Sequence, residues 1–123
     1  MSFKRSISPD GRATFLAAAA VIAGQAVKRT ATEGEVTPCT AAADAAVGVA
    51  LDGAEAGDTV PVAILGVKTG TLIKTASGAV DAGAEVNALG AAASAGNTVI
   101  GRALNAAADG GEIELAHCVG RTK

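Results

Sequence analysis

Few side chains in this sequence are of the types that catalyse reactions, and their spacing does not group them. His117 is the single histidine, and it stands near the end of a β-patterned segment without a Ser or Asp partner that the sequence supports. General acid–base catalysis needs a titratable group that a cleft and a partner hold in place. The pattern therefore predicts a strand-end histidine, hydrogen-bonded or solvated, in a chain that is not an enzyme.

The two cysteines and the carboxylates do not form a ligand set. Cys39 and Cys118 are too isolated for a disulfide framework or a zinc site, so we expect two small buried or half-buried thiols. Six carboxylates fall in or beside predicted turns, without the alternation of a calcium loop: Asp52, Glu55, Asp58, Asp109, Glu112 and Glu114. The sequence predicts neither a metal site nor a cofactor.

Two lysine-containing patterns are further candidates, one for phosphate binding and one for lysine acylation. Residues 66–71 read Gly-Val-Lys-Thr-Gly-Thr, which has the letters of a phosphate-binding loop but neither its order nor a following helix pattern. Carrier domains with an acylated lysine are also rich in Ala, Gly and Val. Lys68 and Lys74 lack the methionine neighbours of those lysines, so neither phosphate binding nor acylation is predicted.

The composition indicates one domain with a thin core. The 123 residues are 50% hydrophobic, but most of these are Ala and Val, aromatic residues make up 2%, and there are 16 glycines. Burial of small side chains removes little apolar area from water, and the stabilisation is about 25 cal/mol per Å². We therefore expect self-association or docking on a partner to supply part of the stability.

Charge is distributed unevenly along the chain. Residues 1–29 carry five basic groups against Asp10, a local net charge of +4, whereas the remaining 94 residues sum to −6. An acidic body without a basic face argues against nucleic acid as the main partner. The apolar run from Phe15 to Ala23 is far shorter than a membrane span, so no membrane partner is predicted and synthesis in a reducing cytoplasm is expected.

Short strands separated by Gly and Asp turns are predicted to position these residues. The expected strands are 12–16, 25–32, 36–40, 47–51, 59–65, 67–73, 85–89, 98–104 and 112–119. In the last of these, Ile113, Leu115 and Val119 are expected to share a face with His117. The Ala-rich run 17–23 is long enough for at most a short helical turn. The predicted fold is mainly β, a small β-barrel or β-sandwich.

An internal repeat divides this fold into two similar half-units, about 21–69 and 78–120. Residues 47–62 match residues 100–115 at a constant offset of 53, and residues 23–27 match residues 82–86 at an offset of 59. The repeat includes the backbone positions Gly48, Gly57, Gly101 and Gly110. Glycine at 48 and 101 is expected to let strands or subunits approach closely, or to occupy an ordinary bulge or turn. Backbone geometry repeats and reactive side chains do not, which indicates a scaffold.

The repeated segments resemble a family of viral structural proteins. Residues 23–27, 46–52, 54–62, 82–86 and 96–104 together follow the order A-G-x-x-V, G-V-A-L-x-x-A-x-x-G-x-x-V-x-V, A-G-x-x-V, I-G-x-A-L. This order is similar to that of the small capsid decoration, or cement, proteins of tailed bacteriophages, in the group labelled DUF2190. Ala, Gly and Val carry little information singly, but their order and spacing over residues 20–118 are specific.

The resemblance implies a β-rich protein of the outer capsid surface of a virion. Such a protein would bind the assembled capsid, bridge neighbouring subunits of the major capsid protein, and form a homotrimer at three-fold or quasi-three-fold positions. Bridges that form only on the expanded shell stabilise it by mass action and multivalency. The alternative is an adhesin-like or carbohydrate-binding module, which normally requires aromatic side chains that this chain, without Trp or Tyr, does not offer.

The N-terminal arm, residues 1–16, lies outside the resemblance, and a domain of residues 17–123 follows it. Both aromatic residues of the chain belong to the arm, beside basic side chains: Phe3, Lys4, Arg5, Arg12 and Phe15. Aromatic and Arg side chains are the usual anchors of protein interfaces. These five residues are therefore predicted to anchor the protein to the capsid, with an ordinary core position as the competing role of Phe15.

Overall fold

A computed structural model describes residues 11–66 and 72–123 of the chain. These residues form ten strands and no helix: β1 (Arg12–Ala17), β2 (Ala26–Arg29), β3 (Glu35–Pro38), β4 (Ala46–Ala50), β5 (Thr59–Ile64), β6 (Leu72–Thr75), β7 (Glu85–Asn87), β8 (Thr98–Ala103), β9 (Glu112–Ala116) and β10 (Arg121–Thr122). The Ala-rich run after β1 forms bends rather than a helical turn. The mainly β prediction with a small barrel is confirmed.

The first unit, residues 11–66, is a closed barrel with the strand order β1-β3-β2-β4-β5. β5 pairs antiparallel with β4 and with β1, where Phe15 lies opposite Val60. β3 closes the barrel because it pairs antiparallel with β2 and parallel with β1, with Leu16 opposite Glu35. Closure leaves no free edge in this unit.

The second unit, residues 72–123, repeats the plan as an open sheet with the order β10-β8-β9-β6, in which β7 also pairs with β8. β7 and β8 correspond to β2 and β4, and β9 and β6 correspond to β5 and β1. Lys74 lies opposite Ile113, as Phe15 lies opposite Val60. No strand of the described part corresponds to β3, so this sheet does not close.

Hydrogen bonds match between the units at the two sequence offsets. Gly24 N donates to Ala50 O at 2.8 Å, and Gly83 N donates to Ala103 O at 2.7 Å. The bridge between Val21 and Ala54 recurs between Val80 and Ala107. Each unit also has a register shift directly after its central Val–Gly pair, Val27 opposite Gly48 and Val86 opposite Gly101. The sequence repeat is therefore a repeat of backbone pairing.

A difference in loop length separates the closed unit from the open one. From Val27 to Gly48 the chain advances 21 positions, but from Val86 to Gly101 it advances only 15. The longer connection holds β3, which reaches β1. The shorter one turns back at Gly90 and reaches the first-strand side with a single bond, Ser77 N to Gly90 O at 3.0 Å, at the place of Ala18 N to Val36 O.

Each unit has a core made of corresponding residues, and the two cores adjoin at the boundary between the units. The barrel encloses Val21, Val27, Val36, Ala50, Val60 and Val62, and the open sheet covers Val80, Val86, Ile100, Ala103, Ile113 and Leu115. Val49 and Ala63 face out of the barrel and complete the second core. A third, smaller cluster of Ala26, Cys39 and Ala88 lies where the units touch. The units thus share one continuous structure.

Two of the boundaries that differ from the sequence prediction concern the predicted site residues. Residues 12–16, assigned to the arm, form most of β1, so the barrel begins at residue 12 rather than at 17. The last long strand is wrong beyond Ala116: His117 has a φ of 54°, and Val119 is 60% exposed instead of sharing the buried face of Ile113. The first part of the predicted strand 67–73, with Lys68 and the segment 67–71, lies outside the described residues.

Candidate functional site

The predicted capsid-binding residues are divided by the structure. Phe3, Lys4 and Arg5 lie outside the described residues. Arg12 is exposed on β1, whereas Phe15 is only 8% exposed and packs in the barrel core. A side chain so enclosed is not available to a capsid surface, so the core role of Phe15 holds and its anchoring role is withdrawn.

The repeated glycines serve two kinds of backbone site. Gly57 and Gly110 have φ values of 90° and 79°, which residues other than glycine rarely adopt. Gly48 and Gly101 have ordinary φ values and instead allow strands to approach closely. A Cβ at position 48 would clash with Ala63 O, and one at position 101 would lie 3.0 Å from the Leu115 Cβ.

A cavity of about 240 Å³ lies between the two units, and we call it the seam cavity. Its first-unit wall holds Ile22, Ala23, Gln25 and Cys39, and its second-unit wall holds Lys74, Thr75, Ala76, Ser77, Ala88, Leu89 and Asp109. The walls are joined where Thr75 N donates to Gly24 O at 3.0 Å. The cavity lies beside the short connection at Gly90, where the second unit stays open.

Lys74 is the unusual residue of the seam cavity. It is 3% exposed and occupies the place that Phe15 has in the first unit. Its Nζ donates one hydrogen bond, to Thr75 O at 3.3 Å, and no carboxylate of residues 11–66 or 72–123 forms an ion pair with it. Burial lowers the pKa of Lys74 from 10.5 to about 8. Sequence reasoning weighed Lys74 only for acylation, although the offset of 59 already aligned it with Phe15.

Two titratable side chains share the cavity with Lys74. Burial, with a smaller effect of Asp44, raises the pKa of the Cys39 thiol to about 11, so Cys39 is a neutral thiol at pH 7. Asp109 Oδ1 accepts a hydrogen bond from Gly78 N at 2.8 Å and so serves a turn. The ammonium of Lys74 therefore lacks a charge partner within the described protein.

A second charged cluster lies at the far end of the second unit. The Glu85 carboxylate forms ion pairs with Arg121, with Lys123 at 3.3 Å and with Arg102 at 3.9 Å. His117, with Glu85, Arg102 and Arg121, lines a shallow pocket beside this cluster. Three exposed cations surround one carboxylate, so this surface carries a net positive charge. Ion pairs with Glu85 explain why the cations lie together. Among the described residues, no hydrogen bond joins the His117 side chain to a partner that could assist catalysis.

Two features are absent from the described residues, a cluster of metal-ligating side chains and a membrane-spanning helix. No three His, Cys, Asp or Glu side chains within 11–66 and 72–123 lie close enough together to hold a metal ion. In the same ranges no helix has the length and apolar character to cross a membrane. Six large apolar side chains of these ranges are at least 40% exposed: Leu16, Ile22, Leu51, Ile73, Leu104 and Val119.

Comparison with known proteins places both units in one family. The model of the phage cement protein family matches residues 10–119. Among solved structures, the N base of the head fiber gp8.5 of bacteriophage phi29 has the same fold, with a TM-score of 0.71, 19% identity, and coverage of 91% of this chain and 95% of that one. No curated protein matches. Because the family match spans the barrel and the open sheet, the chain belongs to the phage cement proteins, with a capsid-associated structural role.

Proposed function

We propose that this protein binds the outer surface of an assembled tailed-phage capsid and stabilises the shell by bridging subunits of the major capsid protein. The observation that carries the proposal is the cement family match over residues 10–119, which includes both units. Exposed apolar side chains on both units supply contact area for more than one neighbour. A bridge that forms only on the assembled shell shifts the equilibrium toward that shell by mass action.

The partner set of the proposal includes a second and a third copy of the chain. Alanine and valine dominate both cores, and Leu16, Ile22 and Leu104 stay exposed in the single chain. Burial of such side chains between copies would add stability that the thin cores lack. Light scattering coupled to size exclusion is expected to give three times the 11.8 kDa chain mass. A monomer at every concentration, both free and cross-linked on heads, would contradict the trimer.

The test of capsid binding uses phage heads that lack this protein. Purified protein is added to expanded heads, unbound protein is removed by sedimentation, and occupancy is measured by gel densitometry and negative-stain microscopy. We expect saturable occupancy and a higher temperature of DNA release from decorated heads. Unexpanded heads serve as the control. Absence of occupancy on expanded heads under low and physiological salt would overturn the proposal.

The anchoring role of the arm stays part of the proposal for Phe3, Lys4, Arg5 and Arg12. The described chain begins at Gly11, whose carbonyl accepts a hydrogen bond from Ile64 N at 2.8 Å, so the barrel is held at this point. A deletion of residues 2–10 keeps that bond, and Phe3→Ala removes one aromatic anchor. Both variants are expected to fold, as judged by circular dichroism, and to lose occupancy on heads. Full, salt-resistant occupancy by the deletion would place the contact on the body.

A further inference from the structure

In the seam cavity, the cationic side chain of Lys74 occupies the position that the apolar Phe15 occupies in the first unit. Phe15 fills the equivalent position of the barrel, so the fold accepts an apolar side chain there. Lys74 is only 3% exposed, so its ammonium has lost most of its hydration. A single hydrogen bond of 3.3 Å to Thr75 O uses one of the three donors of the ammonium. The burial of Lys74 is therefore costly in the isolated chain, and an anion at this position would offset the cost.

From this geometry we propose that the seam cavity binds a carboxylate carried on a short apolar stem, with Lys74 as its charge partner. The volume of about 240 Å³ admits a group of the size of an aspartate or glutamate side chain. Ile22, Ala23 and Leu89 would contact the stem, and Gln25 and Ser77 offer further polar groups on the wall. Asp109, the carboxylate of the same wall, accepts a hydrogen bond from Gly78 N and forms no ion pair with Lys74, so the ammonium keeps donors for an external acid.

The surroundings of the mouth identify the source of the carboxylate as a protein. A second cavity adjoins the first, shares Ala23 and Thr75 with it, and is lined by Leu51 and Ile73. Together with Ile22, which is 72% exposed, these side chains form a mainly apolar rim, to which Glu112 of the second cavity adds one carboxylate. A free small acid would leave the rim in water, whereas a protein segment with an acidic side chain among apolar ones would cover it. Resting on the proposed function, we assign this segment to the capsid.

The first arm of the test uses the free protein and propionate as probe, with propionamide as its uncharged counterpart. Lysine side chains labelled with 13C at Cε report the Lys74 environment by NMR. Propionate is expected to shift the Lys74 signal with a Kd of about 10 mM and to raise the pKa of Lys74, because an anion stabilises the ammonium. Propionamide is expected to have no such effect. Equal responses to both probes, or a response to neither, would overturn the carboxylate site.

The second arm uses heads and two matched variants. Lys74→Met keeps an unbranched side chain of similar length and removes the charge. Lys28→Met is the control, because Lys28 already pairs with Asp44 at 3.1 Å. We expect Lys74→Met to fold and to need at least tenfold more protein for half occupancy, and Lys28→Met to match the wild type. If Lys74→Met decorates heads as the wild type does, the assignment of the carboxylate to the capsid is overturned. If the wild type itself fails to decorate, the proposed function fails, while the propionate titration still decides the site.

Discussion

The two units of this protein start from one pattern and end as different objects. The first unit closes into a barrel because β3 pairs with both β2 and β1, and its strand β1 places Phe15 in the barrel core. The second unit has a connection shorter by six residues, reaches its first strand through one hydrogen bond at Gly90, and stays open beside Lys74. The shorter connection thus accompanies a cavity beside Lys74, at the position that Phe15 occupies in the barrel.

The two units also differ in the charged side chains that they hold. The barrel satisfies its own strand edges, and its core contains apolar side chains throughout. The open unit holds the buried ammonium and one wall of the seam cavity, along with the charged cluster around Glu85.

The largest expected effect distinguishes the sealed position from the exposed one beside it. Phe15→Ala is expected to lower the free energy of unfolding by about 3–5 kcal/mol, since it empties a large volume in the barrel core. Leu16→Ala, on the same strand but 46% exposed, is expected to cost less than about 1 kcal/mol. Urea unfolding of both variants measures the difference. Similar losses for the two would mean that the barrel is not sealed around Phe15.

The next effect tests how closely the strands approach in each unit. Gly48→Ala places a Cβ against Ala63 O and 2.6 Å from Val62 Cγ1, whereas Gly101→Ala places one 3.0 Å from Leu115 Cβ. Overpacking of this kind costs about 1–3 kcal/mol, so we expect at least about 3 kcal/mol at position 48 and about 1–2 kcal/mol at position 101. Thermal unfolding ranks them. Equal melting shifts at the two positions would mean that the strands approach each other equally closely in both units.

A smaller effect has the opposite sign. Lys74→Met removes an unpaired buried charge and keeps the side-chain length, so it is expected to raise the free energy of unfolding at pH 7 by about 1–3 kcal/mol. Lys28→Met is the control: its ion pair with Asp44 is half-exposed, and its loss is expected to change stability by less than about 1 kcal/mol. Destabilisation by Lys74→Met would show that Lys74 has a partner that stabilises its charge.

The smallest effect is a dependence of stability on pH. The pKa of Lys74 is about 8 in the folded chain and 10.5 in the unfolded chain, so the unfolded state binds more protons above pH 8. Stability is therefore expected to rise from pH 8 to 9, by at most about 1.4 kcal/mol per pH unit. Above pH 9 the Cys39 thiol, whose pKa is about 11, acts in the opposite direction, because the folded state then retains its proton.

Two variants assign these opposing effects to their residues. Lys74→Met is expected to abolish the rise in stability between pH 8 and 9, and Cys39→Ala is expected to remove the loss above pH 9. Denaturant unfolding at each pH measures both. A rise that persists in Lys74→Met would show that another group titrates in this range.

The order of the strands along the chain was predictable, because alternation and glycine turns act over short distances. The strict alternation of 59–65 gave β5, and the two offsets gave the correspondence of the units. Both offsets also contained what sequence reasoning did not extract. Their difference of six residues is the missing β3, and the offset of 59 aligns Lys74 with Phe15. The Ala-rich run, predicted to form at most a short helical turn, forms none, because the backbone of residues 17 and 21 bonds to Asp58 and Ala54.

By itself the sequence determined a repeated β scaffold, a thin core of small side chains, and membership in a family of capsid proteins. Only the tertiary structure decided which unit closes, because closure depends on whether β3 reaches a strand some twenty residues earlier in the chain. It also decided that Phe15 packs in a core and that Lys74 is buried without a charge partner in the described protein. Burial and pairing depend on contacts between distant segments, and local residue patterns do not encode those contacts.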